Sequence, residues 1–346
     1  MKRYIITTEQ ENALYAGPKA RRDAEAIALR AGYQGIEFEG PLTAQGSISG
    51  GISLLIRSLR NWRKLERSAN ADSVVLIQFP LYPIKTAYVI HRRMQRIKRK
   101  RGIRFIALIH DLDSVRGLFG KAGVYNDTRV LPLFDVVICH NTAMKGYLVN
   151  RGLPERKIVT LGIFDYLTEA KCNPHHSDDG LAFAGNLNPE KSRFLEKMNS
   201  GQNSVLHLYG NGASHFPERA VYHGAFSPDE LPGKLEGAFG LVWDGESTDG
   251  CSGLSGEYMR YNNPHKLSLY LASGMPVIIW NRAALAEFVK RKGIGLTVGN
   301  LKEIRLADVK DYDEMLENAA KLGRDIRAGK HLQAALSRAE DILAEQ

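Results

Sequence analysis

The run Asn262-Asn263-Pro264-His265-Lys266-Leu267-Ser268-Leu269-Tyr270-Leu271-Ala272-Ser273-Gly274-Met275-Pro276-Val277-Ile278 joins a cation to the start of a helix. Pro264 suits the first helical position, where an N–H is not needed. Leu267, Tyr270 and Leu271 then make one apolar face, Gly274 supplies a left-handed cap, and Pro276 stops the helix before the strand at Val277. A helix start of this kind presents unpaired backbone N–H groups, which suit a phosphate. Lys266, in the first turn, adds a full positive charge.

A second cluster is Ile106-Ala107-Leu108-Ile109-His110-Asp111-Leu112-Asp113-Ser114-Val115-Arg116. An apolar strand delivers His110, Asp111 and Asp113 to its carboxyl end. His110 and Asp111 both qualify as a general base for an attacking hydroxyl. Asp113 belongs with them on the acceptor side, and Arg116 has the planar fork to bind an acceptor or a phosphate. Three more loops carry polar groups at strand ends: Phe183-Ala184-Gly185-Asn186-Leu187, His207-Leu208-Tyr209-Gly210-Asn211-Gly212 and Val221-Tyr222-His223-Gly224-Ala225-Phe226-Ser227-Pro228-Asp229-Glu230-Leu231. Gly185 permits close backbone approach. The last of these loops resembles the one that borders the nucleotide base in GT-B glycosyltransferases, which implies that Tyr209 or Tyr222 stacks on the base or supports the sugar.

The elements that position these residues alternate. In the first half, strands are expected at 4–7, 35–38, 74–79, 103–109, 136–140 and 158–160, with helices at 18–31, 53–69, 84–100 and 142–150. The segment KCNPHHSDDG at 171–180 breaks the pattern and reads as a linker, its His175 and His176 as solvated. Strands then resume at 181–184, 205–209, 220–222, 239–243, 277–280 and 295–298. Helices are expected at 189–198, 228–235, 264–273 and 283–290, and the tail from 311 to 345 is rich in helix formers. Alternating strand and helix gives an α/β protein with parallel sheets. The expected division is a Rossmann-like domain at 1–170, the linker 171–180, a second Rossmann-like domain at 181–310 and C-terminal helices at 311–346 that pack back on the first domain. Ligands in such sheets sit at the carboxyl ends of strands, here facing a cleft.

The chain has 346 residues, 44% hydrophobic and 25% charged. That composition excludes a disordered, fibrous or disulfide-stapled protein. No run reaches the ~18 apolar residues of a membrane span, and the N-terminus lacks an apolar signal region. Cys139, Cys172 and Cys251 lie far apart with no zinc spacing, which fits reduced thiols in a cytoplasm. The net charge of +9 is uneven: residues 1–165 hold 27 Lys and Arg against 14 Asp and Glu, so the excess lies in the first half. The source is partly His91-Arg92-Arg93-Met94-Gln95-Arg96-Ile97-Lys98-Arg99-Lys100-Arg101. This stretch reads either as a solvated basic helix face or as a contact with an anionic membrane surface. Nucleic acid is the third reading, without an aromatic platform or helix-turn-helix pattern to support it.

Together Gln78-Phe79-Pro80-Leu81-Tyr82-Pro83, the basic helix, IHDLDSVR, Gly185-Asn186-Leu187, Leu241-Val242-Trp243-Asp244-Gly245 and NNPHKLSLYLASGMPVI resemble a known family. They are similar to the GT-B glycosyltransferases, and within these to bacterial galactofuranosyltransferases and the streptococcal glucosyltransferases of serine-rich-repeat adhesins. The resemblance covers roughly residues 74–280. It implies a GT-B fold of two Rossmann-like domains, a UDP-sugar as donor substrate, no cofactor and no obligatory metal, and homo-oligomers in some members. Its donor-binding asparagine and lysine correspond to Asn263 and Lys266, and its donor loop to Gly185 and Asn186, with Lys191 or Arg193 reaching the diphosphate. Its acceptor-loop signature is only partly matched by Leu14-Tyr15-Ala16-Gly17-Pro18, which puts Gly17 on the acceptor side. Asp111-x-Asp113 has the spacing of the metal-holding pair of GT-A enzymes, but lies in the other half from the donor motifs.

The expected activity is hexosyl transfer (galactofuranose, glucose or galactose) from a UDP-sugar to a glycan hydroxyl during bacterial surface polysaccharide or glycoprotein assembly. The acceptor is lipid-linked or protein-linked, and the protein cytoplasmic or peripheral at the inner membrane face. The rival reading is a catalytically silent GT-B subunit that binds glycan or another glycosyltransferase. An epimerase would need a GxGxxG turn after the first strand, where residues 8–20 hold only Gly17.

Overall fold

The computed structural model describes residues 2–8, 16–39, 48–81, 87–198, 204–212 and 219–346. Two compact units emerge. The first comprises β1 (Arg3–Thr8), Arg21–Gly162 and Leu332–Gln346, and the second is chiefly Ile163–His331.

In the first unit, β1 is followed by α1 (Ala16–Arg30), β2 (Gln34–Phe38), α2 (Ile48–Ser68), β3 (Val74–Phe79), α3 (Ala87–Arg101) and β4 (Arg104–Ile109). Then come α4 (Gly120–Tyr125), β5 (Val136–Cys139), α5 (Thr142–Asn150) and β6 (Ile158–Thr160). The strands form one parallel sheet in the order β2-β1-β3-β4-β5-β6. β3 and β5 are buried at every residue, as strands covered on both faces must be, which is why they read as apolar runs interrupted only by Gln78 of β3. Trp62 of α2 seals one side, edge-on to Phe38 and Phe105 at 5.9 and 6.5 Å.

The second unit has β7 (Leu181–Ala184), α6 (Pro189–Ser192), β8 (Leu206–Tyr209), β9 (Ala220–Gly224), β10 (Phe239–Val242), α7 (Gly253–Tyr258), α8 (His265–Ala272), β11 (Val277–Trp280), α9 (Ala286–Lys292), β12 (Gly295–Val298) and α10 (Tyr312–Ala328). Its sheet is also parallel, in the order β12-β11-β10-β7-β8-β9. The order reverses between β7 and β10, so the loops after these two strands flank a topological switch point, where ligands bind in such sheets. The final helix, α11 (Lys330–Ala344), runs into the first unit's C-terminal segment.

Two expected helices do not form as single helices. The stretch 189–198 does not form one helix: α6 stops at Ser192 and a tighter turn, Arg193–Lys197, follows. Gly245 explains the break, because its N–H takes the Lys191 carbonyl at 2.9 Å and its carbonyl takes the Phe194 N–H at 3.3 Å. In 228–235 only a short turn, Leu231–Gly233, forms, since Pro232 sits inside the stretch and has no N–H to give. The tail is two helices, because Gly329 adopts φ 77° and caps α10.

Candidate active site

Each unit gathers its candidate site residues at the carboxyl end of its own sheet. In the second unit, Lys266 lies in the first turn of α8. Its Nζ donates to Asp244 Oδ1 at 2.9 Å and to the Trp243 carbonyl at 3.0 Å, and stands 4.4 Å from the centre of the Phe183 ring. Burial pulls the ammonium below the usual lysine range, and the Asp244 carboxylate opposes that shift. The pair is therefore mutually dependent. Asp244 lies two residues beyond the end of β10, so the switch point itself supplies the counter-charge.

Gly185 follows β7 and faces this lysine: a Cβ there would lie 3.9 Å from Lys266 Nζ. The loops after β7 and β8 are zipped together by Gly185 N–H to Tyr209 O at 2.9 Å and Leu187 N–H to Asn211 O at 2.8 Å. Gly210, at φ 137°, allows this, since a Cβ on it would lie 1.8 Å from the Gly185 carbonyl oxygen. Asn186 shapes its own turn: its Oδ1 accepts from Asn188 N–H and its carbonyl from Ser192 Oγ. Lys191 is half-buried, and its charge adds to the downward push on Lys266. Asn263 is buried at the entry to α8. Tyr209 is buried with its hydroxyl donated to Lys234 O, and His223 covers its ring at 4.6 Å. Tyr222 is exposed and donates its hydroxyl to Gly210 O at 2.9 Å, reaching the same loop from β9.

In the first unit, His110 and Asp111 follow β4. His110 Nε2 meets Gln78 Oε1, at the end of the neighbouring β3, at 2.8 Å. Gln78 Oε1 can only accept, so this bond puts the proton on Nε2 and the neutral ring's lone pair on Nδ1. Asp111 pairs with Arg116 at 2.7 Å. Asp113 is wholly buried, with neither carboxylate oxygen hydrogen-bonded. Burial first, then the Asp127 and Asp111 charges, push it up to about 7. Burial likewise raises Asp127 to about 6, opposed by the Ser114 N–H that it accepts at 2.8 Å. Gly17 falls in the first turn of α1, and the flanking Leu14 and Tyr15 lie outside the described residues, as do Tyr82 and Pro83.

Sequence reasoning did not assign roles to Asp244, Gln78, Asn126 or Asp127. An acidic or amide residue at, or directly after, the end of a buried strand is a usable signal for the first two. Asp127 comes near Asp113 only through the fold of a short helix and a wider turn, Asn126–Val130, in which Asn126 is also buried.

Two family models cover nearly the whole chain: the glucosyltransferase 3-like N-terminal domain matches residues 2–163 and the C-terminal domain residues 181–339. The chain belongs to the glucosyltransferase 3-like family. A relative, the beta-1,6-galactofuranosyltransferase WbbI of Escherichia coli (strain K12), is 34% identical over 341 residues, 95% of each protein. Glucosyltransferase 3 of Streptococcus gordonii is 28% identical over 235 residues, covering 65% of this chain and 67% of that one. Among solved structures, Anabaena HepE in complex with UDP superposes with a TM-score of 0.61 at 12% identity, covering 99% and 100% of the two chains. The lipopolysaccharide outer core galactosyltransferase WaaB gives 0.57 at 11%, covering 100% of both. The protein is a glycosyltransferase with the GT-B fold, and the silent-subunit reading is not favoured.

Proposed function

We propose that the protein moves a hexose, galactofuranose before glucose or galactose, from a UDP-sugar to a hydroxyl of a bacterial surface glycan. The observation that carries this reading is Lys266, a buried cation held by Asp244 against the Gly185 backbone at the switch point. Lys266, Lys191 and the start of α8 would offset charge developing on the leaving diphosphate. Asn263, Gly185 and Asn186 shape the floor, and Tyr222 lies beside the Gly210 loop where a base or sugar would rest. The ranking of galactofuranose rests on the relative that matches along 95% of the chain. Donor binding is assigned to residues 181–310 and acceptor binding to 1–170, with 171–180 as linker.

On the acceptor side we take His110 as the base, with Asp111 as its alternative: His110 is held through Nε2 by Gln78, and Asp111 pairs with Arg116. If the anomeric centre inverts, His110 takes the hydroxyl proton; if it is retained, the same groups position the nucleophile. Arg116 orients the acceptor through Asp111. Asp113 acts beneath the surface by holding a proton, and Gly17 contributes backbone at the start of α1.

No metal or cofactor takes part in this scheme, because the two lysines supply the charge that a divalent ion would. The partners are the donor, a lipid- or protein-linked glycan, an anionic membrane surface on the cytoplasmic side, and a second copy of the chain, with no nucleic acid. Among the described residues no helix is long and apolar enough to cross a membrane.

The test is a thermal-shift titration with UDP, GDP, ADP and dTDP, in Mg2+ and in EDTA, followed by a panel of UDP-sugars. A ligand bound only by the folded state raises the melting temperature by mass action. UDP should give a rise of equal size in both media. No rise with any nucleotide would refute the donor assignment.

A further inference from the structure

We infer that the second unit carries a transition-metal site, of zinc type, formed by His207, His223 and Glu236 and separate from the Lys266 centre. These residues come from three places: β8, β9 and the segment before β10. His207 Nδ1 lies 2.9 Å from His223 Nε2 and 3.7 Å from Glu236 Oε2, and all three ligand atoms fall within 4.8 Å of one another. Ligand atoms around one Zn2+ with bonds of about 2.0–2.2 Å stand roughly 3–3.6 Å apart. The two histidines need open only by a few tenths of an ångström. The Glu236 side chain, 56% exposed, has room to swing in.

What distinguishes this cluster from a chance histidine pair is how its members are held. His207 Nε2 meets the Asp179 carbonyl at 3.1 Å. A carbonyl only accepts, so the proton is on Nε2 and the Nδ1 lone pair points at the other two residues. Metal-bound histidines are oriented in this way, by donating the second ring N–H to a carbonyl. His223 is fixed by stacking flat on Tyr209, with the rings 8° apart. The Tyr209 hydroxyl donates to Lys234 O and accepts the Glu236 N–H at 2.8 Å, which sets the backbone at Glu236 relative to the stacked ring.

Two imidazoles and one carboxylate suit Zn2+ and its Irving–Williams neighbours rather than Mg2+, which takes oxygen ligands. Water fills the remaining position. The ion would clasp β8 and β9 at the edge of the sheet and brace the Gly210 loop, whose N–H bonds to Gly224 O at 2.9 Å. Its role is structural, and it takes no part in sugar transfer.

The experiment is titration of metal-stripped protein with Zn2+ against a chromophoric chelator, with Co2+ absorption reporting the coordination geometry. One equivalent should bind, raise the melting temperature, and give the intense visible bands of four-coordinate Co2+. Glu236→Gln, at an exposed position, should fold normally and bind Zn2+ about tenfold or more weakly. His223→Gln should do the same. Absent binding, or affinity unchanged in both variants, would overturn the site. The UDP-induced shift, read on the same Glu236→Gln protein, reports separately on the donor centre and should persist.

Discussion

Lys266 and Asp244 form a buried pair, so removing one partner has two consequences that can be separated. Under the proposed function, Lys266→Ala takes a cation from the leaving diphosphate; it also strands a carboxylate that is 10% exposed. The first effect should lower kcat by about 10²–10³-fold, the range for losing one preorganised charge-stabilising group. The second should cost roughly 3–5 kcal/mol of stability. The double change Lys266→Met with Asp244→Asn should restore most of the melting temperature and none of the turnover. Turnover near the unaltered level in either variant would remove Lys266 from the reaction. Asp113 makes a different prediction. Its carboxyl binds a proton up to about pH 7 in the folded chain but only to about 4 when unfolded. Between those values the folded state holds more protons, so stability falls as pH rises and the loss is complete above 7. Asp113→Asn should flatten that slope in melting curves taken from pH 4 to 8, and an unchanged slope would locate the titration elsewhere. At this scale the sequence showed Lys266, His110 and Asp113 because each stands beside a strand end or a helix start. It did not show that Asp113 is sealed from solvent, nor that residues 207, 223 and 236 meet, because those facts depend on packing between distant segments.

Helix and strand ends in the second unit are set by close backbone approaches. Gly240 in β10 lies under the ring of Tyr270 from α8: a Cβ there would fall 2.1 Å from the ring carbon Cγ. Tyr270 cannot retreat, because its hydroxyl accepts the Ala184 N–H at 2.8 Å and so links α8 to β7. Gly240→Ala should therefore cost about 1–3 kcal/mol, the range for overpacking a filled core, and lower the melting temperature by several degrees. A change within error would mean that α8 is free to move from the sheet. Gly323 of α10 plays a similar part, with a Cβ position 2.1 Å from the Leu271 carbonyl. The strands were legible because parallel sheets covered on both faces favour near-continuous apolar runs, such as Val136–Cys139 and Val277–Trp280. The helices were less so. α6 ends early because Gly245 takes its hydrogen-bonding groups, and no local pattern in 189–198 announces that competitor.

For the whole molecule, the excess of positive charge in residues 1–165 takes physical form on α3. Ala87, Ile90, Met94 and Ile97 are buried against the sheet, and Lys98 is drawn inward to Asp135 at 2.6 Å. Arg92, Arg96, Arg99, Lys100 and Arg101 remain exposed, with Tyr88 at the same end as Arg92, whose guanidinium lies 5.0 Å from its ring centre. A cationic face with an aromatic ring at one end suits an anionic lipid surface, where each basic side chain contributes about 1 kcal/mol. Nothing in the core needs these side chains, so they can be changed without disturbing the sheet. Replacing Arg92, Arg96 and Arg99 with Gln should leave the melting temperature within a degree or so, since exposed substitutions cost little. Co-sedimentation with vesicles containing phosphatidylglycerol should drop by about tenfold or more, and high salt should weaken the unaltered protein in the same direction. Equal binding to neutral phosphatidylcholine vesicles, or binding indifferent to salt, would mean that the basic face is merely solvated. In that case a soluble glycan or glycoprotein would become a better acceptor to test than a lipid-linked one.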